Sequence, residues 1–147
     1  MVNKRAIKLW VDALRSGRFV QGRWSLHETS AEGDKFCCLG VACLLAIEDG
    51  VPVTRKIRRL DRQRFDVSEY PSEKWAERNP NDSNWSLVFY NGESIFLPDA
   101  VRKWLGLYSE NPHVGKKNSA ELLSGLNDDG VSFNEIADAI EKEWLNA

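Results

Sequence analysis

Apolar residues recur every three or four positions near the start of the chain. They are Ala6, Ile7, Trp10, Val11 and Leu14. This spacing predicts an amphipathic helix that buries one face, with Asn3 as its N-terminal cap and Gly17 just past its end. The polar and aromatic residues at 19–27 favour two short strands, separated by Gly22, that form a small hairpin.

The residues at 37–47 are apolar on every side, which predicts a buried helix at the centre of the core. Gly40 would allow another element to approach this helix closely. The three cysteines of the chain, Cys37, Cys38 and Cys43, all lie in this run. An odd, clustered set without a secretion signal favours reduced thiols and a cytoplasmic location over disulfides. At this length the run is too short to predict a membrane span.

The strongest local signal is Asn91-Gly92, which lies between the apolar runs at 85–90 and 93–97. Asn-Gly supplies the two positive φ angles of a tight turn, so it predicts a second hairpin. A helix opened by Pro98 follows. Two more helices are predicted, one that starts at 118 and one that starts at the capping box formed by Ser132 and Glu135.

These elements together predict a single α+β domain over residues 1–147. Its small antiparallel sheet, made of two hairpins, is expected to pack against four or five helices. The Pro, Asn, Asp and Ser content of residues 66–83 predicts an irregular and mobile excursion from this domain.

Charge is unevenly distributed along a chain that is almost neutral. Residues 1–64 contain 13 cations and 7 anions, a net charge of +6, and residues 65–147 contain 7 cations and 15 anions, a net charge of −8. Six of the cations lie within ten positions: Arg55, Lys56, Arg58, Arg59, Arg62 and Arg64. Clustered guanidinium groups bind phosphate groups in a bidentate manner, so this segment is predicted to bind a small anionic ligand.

Three tryptophans, Trp24, Trp75 and Trp85, fall in predicted strands or loops, where a ring could stack on the base of a nucleotide-like ligand. The alternative for the six cations is a solvated strand that pairs with the acidic helices of the same molecule or of a second copy. Extended nucleic acid is disfavoured as a partner, because the chain is slightly acidic and has no recognised groove-reading module.

A second class of function is suggested by Cys37 and Cys38 at the predicted start of the buried helix. The helix dipole can lower the pKa of a thiol there, and His27 or His113 could act as the base of a cysteine-dependent hydrolase. Simple packing of small buried thiols is the alternative. No cofactor is predicted. No metal is predicted either, since Cys38 and Cys43 lie about 140° apart around a helix, and a calcium loop over residues 125–136 would have Gly125 and Ile136 at its first and twelfth positions, where carboxylates are required.

Short motifs are distributed over both ends of the chain. They include Trp10-x-x-Ala13-Leu14-Arg15-Ser16-Gly17, Phe36-Cys37-Cys38-Leu39-Gly40-Val41, Trp104-Leu105-Gly106 and Leu126-Asn127-Asp128-x-Gly130. In these motifs the chain resembles a group of small tailed-phage accessory proteins. The Cys-Cys-Leu-Gly-Val block is the most specific part of the resemblance.

The resemblance implies a phage product that acts in the cytoplasm of an infected bacterium. Such proteins often interfere with host processes, including by sequestering the nucleotide signals of antiviral systems. We therefore expect a non-enzymatic host-takeover or anti-defence protein that binds a nucleotide-like ligand, and a homo-oligomer would enclose such a ligand more fully. A third hypothesis is an inhibitor that docks on a host protein through the acidic C-terminal helices.

Overall fold

The computed structural model describes residues 1–59, 86–115 and 120–146, except for the side chain at position 59. Its helices are α1 (Lys4–Arg15), α2 (Cys38–Glu48), α3 (Asp99–Leu105), α4 (Leu123–Asp128) and α5 (Phe133–Trp144). Its strands are β1 (His27–Ser30), β2 (Gly33–Phe36), β3 (Arg55–Arg59), β4 (Ser86–Tyr90), β5 (His113–Val114) and β6 (Glu121–Leu122). The α+β class is therefore confirmed. None of the described helices has the length and apolar character needed to cross a membrane.

The amphipathic helix α1 forms as the spacing of its apolar residues predicts. The predicted apolar face is buried, and the Asn3 side chain accepts a hydrogen bond from the Ala6 N–H (3.2 Å). That face packs on α5, where the ring of Trp10 stacks on Trp144 with 6.5 Å between centroids. At the solvent edge of the same contact, Arg15 pairs with Asp138 and Glu141. Helix α1 is thereby joined to a helix from the other end of the described chain.

Helix α2 is the centre of the core, as its uniformly apolar sequence predicts. Its most restricted position is Gly40, because a Cβ added there would lie 1.7 Å from the carbonyl oxygen of Leu26. The main chain just before β1 therefore runs directly against the helix. The prediction of a close approach at Gly40 is confirmed.

The larger sheet has the strand order β2-β1-β4-β3, and all its neighbours are antiparallel. One face, which we call the inner face, contributes Phe36, Val88 and Tyr90 to the core. Since side chains alternate along a strand, Leu87 and Phe89 lie on the opposite, outer face. Strands β5 and β6 form a separate two-stranded sheet.

Of the two predicted hairpins, the first does not form, and the second has its predicted turn but only a very short second arm. Residues 19–27 do not pair with each other, because Trp24 has a φ of 66°, which breaks an extended strand, and Gln21 instead forms a single bridge to Phe36. The Asn91-Gly92 turn is confirmed, but its second arm is one bridge between Tyr90 and Glu93. That arm cannot extend, because β1 and β3 already occupy both edges of β4.

Candidate functional site

Three of the six predicted cations are exposed on β3. We call β3 with Arg55, Lys56 and Arg58 the basic strand. It is at the end of the described sheet, and its register pairs Arg55 with Tyr90, Lys56 with Phe89 and Arg58 with Leu87. Arg55 therefore lies on the inner face of the sheet, while Lys56 and Arg58 lie on the outer face. The side chain of Arg59, and the whole of Arg62 and Arg64, lie outside the described residues.

The cations of the basic strand differ from most other arginines of the protein in their ion pairs. Elsewhere arginine side chains hold carboxylates at 2.5–3.0 Å; the pairs are Arg5 with Asp49, Arg15 with Asp138 and Glu141, Arg18 with Glu48, and Arg102 with Asp99. Within residues 1–59, 86–115 and 120–146, no carboxylate lies within 4.0 Å of Arg55, Lys56 or Arg58. The acidic helix α5 pairs with α1 instead of with the basic strand.

A buried polar contact lies behind Arg55 on the inner face. The hydroxyl of Tyr90 is hydrogen-bonded to Nδ1 of His27 at 2.7 Å. Burial raises the pKa of Tyr90, and the nearby Arg55 guanidinium partly offsets this rise. Burial also lowers the pKa of His27, although the Asp34 carboxylate, 3.3 Å from Nε2 but outside hydrogen-bond geometry, opposes the change. His27 is therefore a core histidine that joins β1 to β4.

The three cysteines are all buried, and their environment raises their pKa values. Cys37 caps α2 by accepting a hydrogen bond from the Gly40 N–H (3.4 Å), but burial raises the pKa of its thiol to about 12. Burial likewise raises the pKa values of Cys38 and Cys43. The lowered thiol pKa that a hydrolase would need is therefore not found, because burial outweighs the helix N-terminus.

The two candidate bases are also not placed for thiol chemistry. His27 stacks on Phe36 with 4.0 Å between ring centroids, and His113 is exposed on β5. In the described part of the chain, no hydrogen bond joins either histidine to a cysteine. The structure gives the hydrolase hypothesis neither an activated thiol nor a paired base.

We expect the native thiols to resist alkylation. Because all three are buried, iodoacetamide should react with them only through unfolded or locally opened molecules, at least about 1,000-fold more slowly than with free cysteine. Mass spectrometry of the native protein at neutral pH measures this rate. The same protein in denaturant is the control and should gain three adducts, whereas one fast adduct in the native state would contradict the expectation.

The motif residues of the two ends of the chain meet at Asn127. This fully buried side chain accepts hydrogen bonds from Gln21 Nε2 (3.0 Å) and the Cys38 N–H (3.2 Å), and its Nδ2 donates to the Gly22 carbonyl (2.8 Å). The amide of Asn127 thus joins three segments of the fold, which are residues 21–22, the start of α2 and the end of α4. A single Asn in a turn motif has no sequence signal for such a role, so sequence reasoning missed it.

Of the three predicted stacking residues, the structure describes Trp24, which does not lie at the basic strand. Trp24 lies beside the turn between α4 and α5, where its backbone N–H donates to the Asp128 carboxylate (2.8 Å). Its segment joins the sheet through Gln21 at β2, the edge opposite to β3. Trp75 and Trp85 lie outside the described residues. Phe89, half-buried and paired with Lys56, is the aromatic residue that sequence reasoning overlooked.

No metal centre is found in the described segments, where no three His, Cys, Asp or Glu side chains are grouped to hold an ion. A family model described as a domain of unknown function, DUF8296, matches residues 2–144. No curated protein and no solved structure matches the chain.

Proposed function

The chain belongs to the DUF8296 family, and we propose that it binds a small anionic ligand, of the class of phosphate-bearing nucleotides, at its basic strand. One observation carries the proposal. Arg55, Lys56 and Arg58 are exposed on one strand, and no carboxylate of the described chain lies within 4.0 Å of them, although the charge of Arg55 acts at longer range on Asp34 and Glu48. A solvated strand that pairs with the acidic helices of its own molecule is disfavoured for the same reason.

The chemistry of the basic strand suits phosphate groups. Arginine can hold two phosphate oxygens at once, and lysine adds a compact charge. Lys56 and Arg58 lie at the rim of the outer face, next to the half-buried ring of Phe89, while Leu87 at the centre of that face is buried. A ligand at this rim could place phosphates between the cations and a base against the ring of Phe89.

The biological setting that we propose follows the resemblance to tailed-phage accessory proteins. There the ligand would be a nucleotide immune signal of an infected bacterium, held without being cleaved. The buried thiols, whose pKa values are raised, argue against cleavage of the ligand by a cysteine nucleophile. The inhibitor hypothesis gains less support, because Asp138 and Glu141 of the acidic helix are already paired with Arg15.

The proposal predicts that reversing the charges of the two cations on the outer face strongly weakens ligand binding. The double variant Lys56→Glu, Arg58→Glu should bind at least about 100-fold more weakly, since each lost charge-assisted contact contributes roughly 1.5–3 kcal/mol. The measurement is calorimetric titration with whichever cyclic dinucleotide, cyclic trinucleotide or ADP-ribose derivative raises the melting temperature of the wild type. Inorganic phosphate is titrated in parallel to separate nucleotide binding from simple phosphate binding.

The matched control is Lys4→Glu, Lys8→Glu, which changes the net charge equally on the exposed face of α1. Its affinity should stay within about twofold of the wild type, because long-range charge effects are largely screened at physiological salt. Equal loss in both double variants would show only a general charge effect and would overturn the proposal. So would a wild type that none of the nucleotides stabilises, or recovery of cleaved instead of intact ligand after heating.

A further inference from the structure

Two cavities meet at Glu143 on α5, far in sequence from the basic strand. The smaller has a volume of about 200 Å³ and lies between α5 and the segment that follows α3. Its chemically distinctive lining residues are Tyr108, Ser109, His113, Glu143 and Trp144. The larger, of about 520 Å³, lies on the other side of Glu143 and includes Glu121 and Lys142.

The wall of the smaller cavity is fixed by hydrogen bonds of its own. The Arg102 guanidinium donates to the Leu107 carbonyl (2.9 Å), and the Leu123 N–H donates to the Pro112 carbonyl (3.0 Å). In between, Asn111 accepts from the Ser124 hydroxyl (2.8 Å). The opposite wall is Trp144, which is held by its stack on Trp10. The cavity is therefore formed before any ligand arrives, as is usual for small-molecule sites.

Glu143 is the charge that this cavity offers. Its Oε2 accepts a long hydrogen bond from the Gly115 N–H (3.4 Å), but no Lys, Arg or His nitrogen of the described chain lies within 4.0 Å of its carboxylate. Glu141, two positions earlier on the same helix, is instead paired with Arg15. Among the described residues, the half-buried Glu143 thus has no ion-pair partner, and the described lining of its cavity has two aromatic rings and no lysine or arginine.

We infer that this cavity binds an organic cation, an ammonium or guanidinium group on a short aliphatic arm. The carboxylate of Glu143 would pair with the cation, and the rings of Tyr108 and Trp144 would contact it through cation–π interactions. Tyr108, which lines the cavity, is 97% exposed. The volume suits a single arginine or lysine side chain, since cavities for drug-sized ligands are larger, about 300–1,000 Å³.

The test uses arginine amide and its neutral isostere, citrulline amide, titrated into the full chain and followed by tryptophan fluorescence and by NMR. Arginine amide should bind, and citrulline amide should bind at least about tenfold more weakly because it lacks the charge. Glu143→Gln should weaken arginine amide by about tenfold, and Tyr108→Ala by a few-fold. Glu135→Gln, in the exposed first turn of α5, is the matched control and should change nothing.

Equal affinity for the two amides, or no effect of Glu143→Gln, would overturn the inference. The source of the cation is decided by a peptide that contains one arginine. Tighter binding of this peptide than of arginine amide would assign the site to a protein side chain, and equal affinity would assign it to a free amine. Nucleotide affinity at the basic strand should be unchanged in Glu143→Gln, so the two sites succeed or fail separately.

Discussion

Replacing Gly40 with alanine should lower the free energy of unfolding by more than about 4 kcal/mol, enough to unfold much of the protein. The new Cβ would lie 1.7 Å from the carbonyl oxygen of Leu26 and 2.5 Å from its carbonyl carbon. Both are backbone atoms, so no change of side-chain rotamer relieves the overlap. The chain at Leu26 also cannot withdraw easily, because its N–H donates to the Ser94 carbonyl (2.7 Å) and its carbonyl accepts from Cys37 (3.1 Å).

The matched control for Gly40→Ala is Gly125→Ala in α4. An added Cβ there meets nothing closer than 3.8 Å, so the variant should be neutral or up to about 1 kcal/mol more stable through helix propensity. Urea denaturation followed by circular dichroism measures both variants. A Gly40→Ala protein within about 1 kcal/mol of the wild type would show that the contact between α2 and the chain at Leu26 is looser than described.

Asn127→Ala is the second substitution for which we expect a large effect, a loss of about 3 kcal/mol or more. It would remove the acceptor of the buried Cys38 N–H and the donor to the Gly22 carbonyl, and each such orphaned group costs about 1–3 kcal/mol. Gln21 would be affected less, because its Nε2 also donates to the Val131 carbonyl (2.7 Å).

Two further variants test the Asn127 prediction. One is a control, and the other separates the acceptor role of the side chain from its donor role. Asn134→Ala removes an exposed amide from α5 and should cost no more than about 0.5 kcal/mol. Asn127→Asp keeps the acceptor for Cys38 but loses the donor to Gly22 and adds a buried charge, so it too should destabilise. If Asn127→Ala unfolds at the same urea concentration as Asn134→Ala, the three segments do not depend on this amide.

Elements with a clear periodicity were predictable, and pairings between distant segments were not. The buried face of α1 and the uniformly apolar α2 follow directly from residue spacing. The partners of β4 could not be predicted in this way. The Asn91-Gly92 turn indicates pairing with the segment that follows at 93–97, but β1 and β3 occupy the two edges of β4. In the same way, residues 19–27 have the composition of strands, but their packing against Asn127 and Asp128 depends on contacts more than 100 positions away.

The clustering of the cations is visible in the sequence, but their arrangement on the sheet is not. Cation clustering pointed to Arg55, Lys56 and Arg58, and the structure places all three on an exposed strand. The clustering of cations in the sequence did not indicate that Arg55 lies on the face of the sheet opposite to Lys56 and Arg58. That placement follows from the register of β3 with β4. The sequence also could not tell whether Trp24 or Phe89 is the aromatic side chain near these cations, because the order of strands in a sheet is a property of the whole fold.

The contact between α1 and α5 has a kinetic consequence. Arg15 and Glu141 are 126 positions apart, and the stack of Trp10 on Trp144 spans a similar stretch of chain. Closing so long a loop is entropically unfavourable and slows folding. During synthesis, the part of the apolar face of α1 that packs on α5 therefore stays uncovered until α5 has been made. Until then it remains exposed to aggregation or to chaperones.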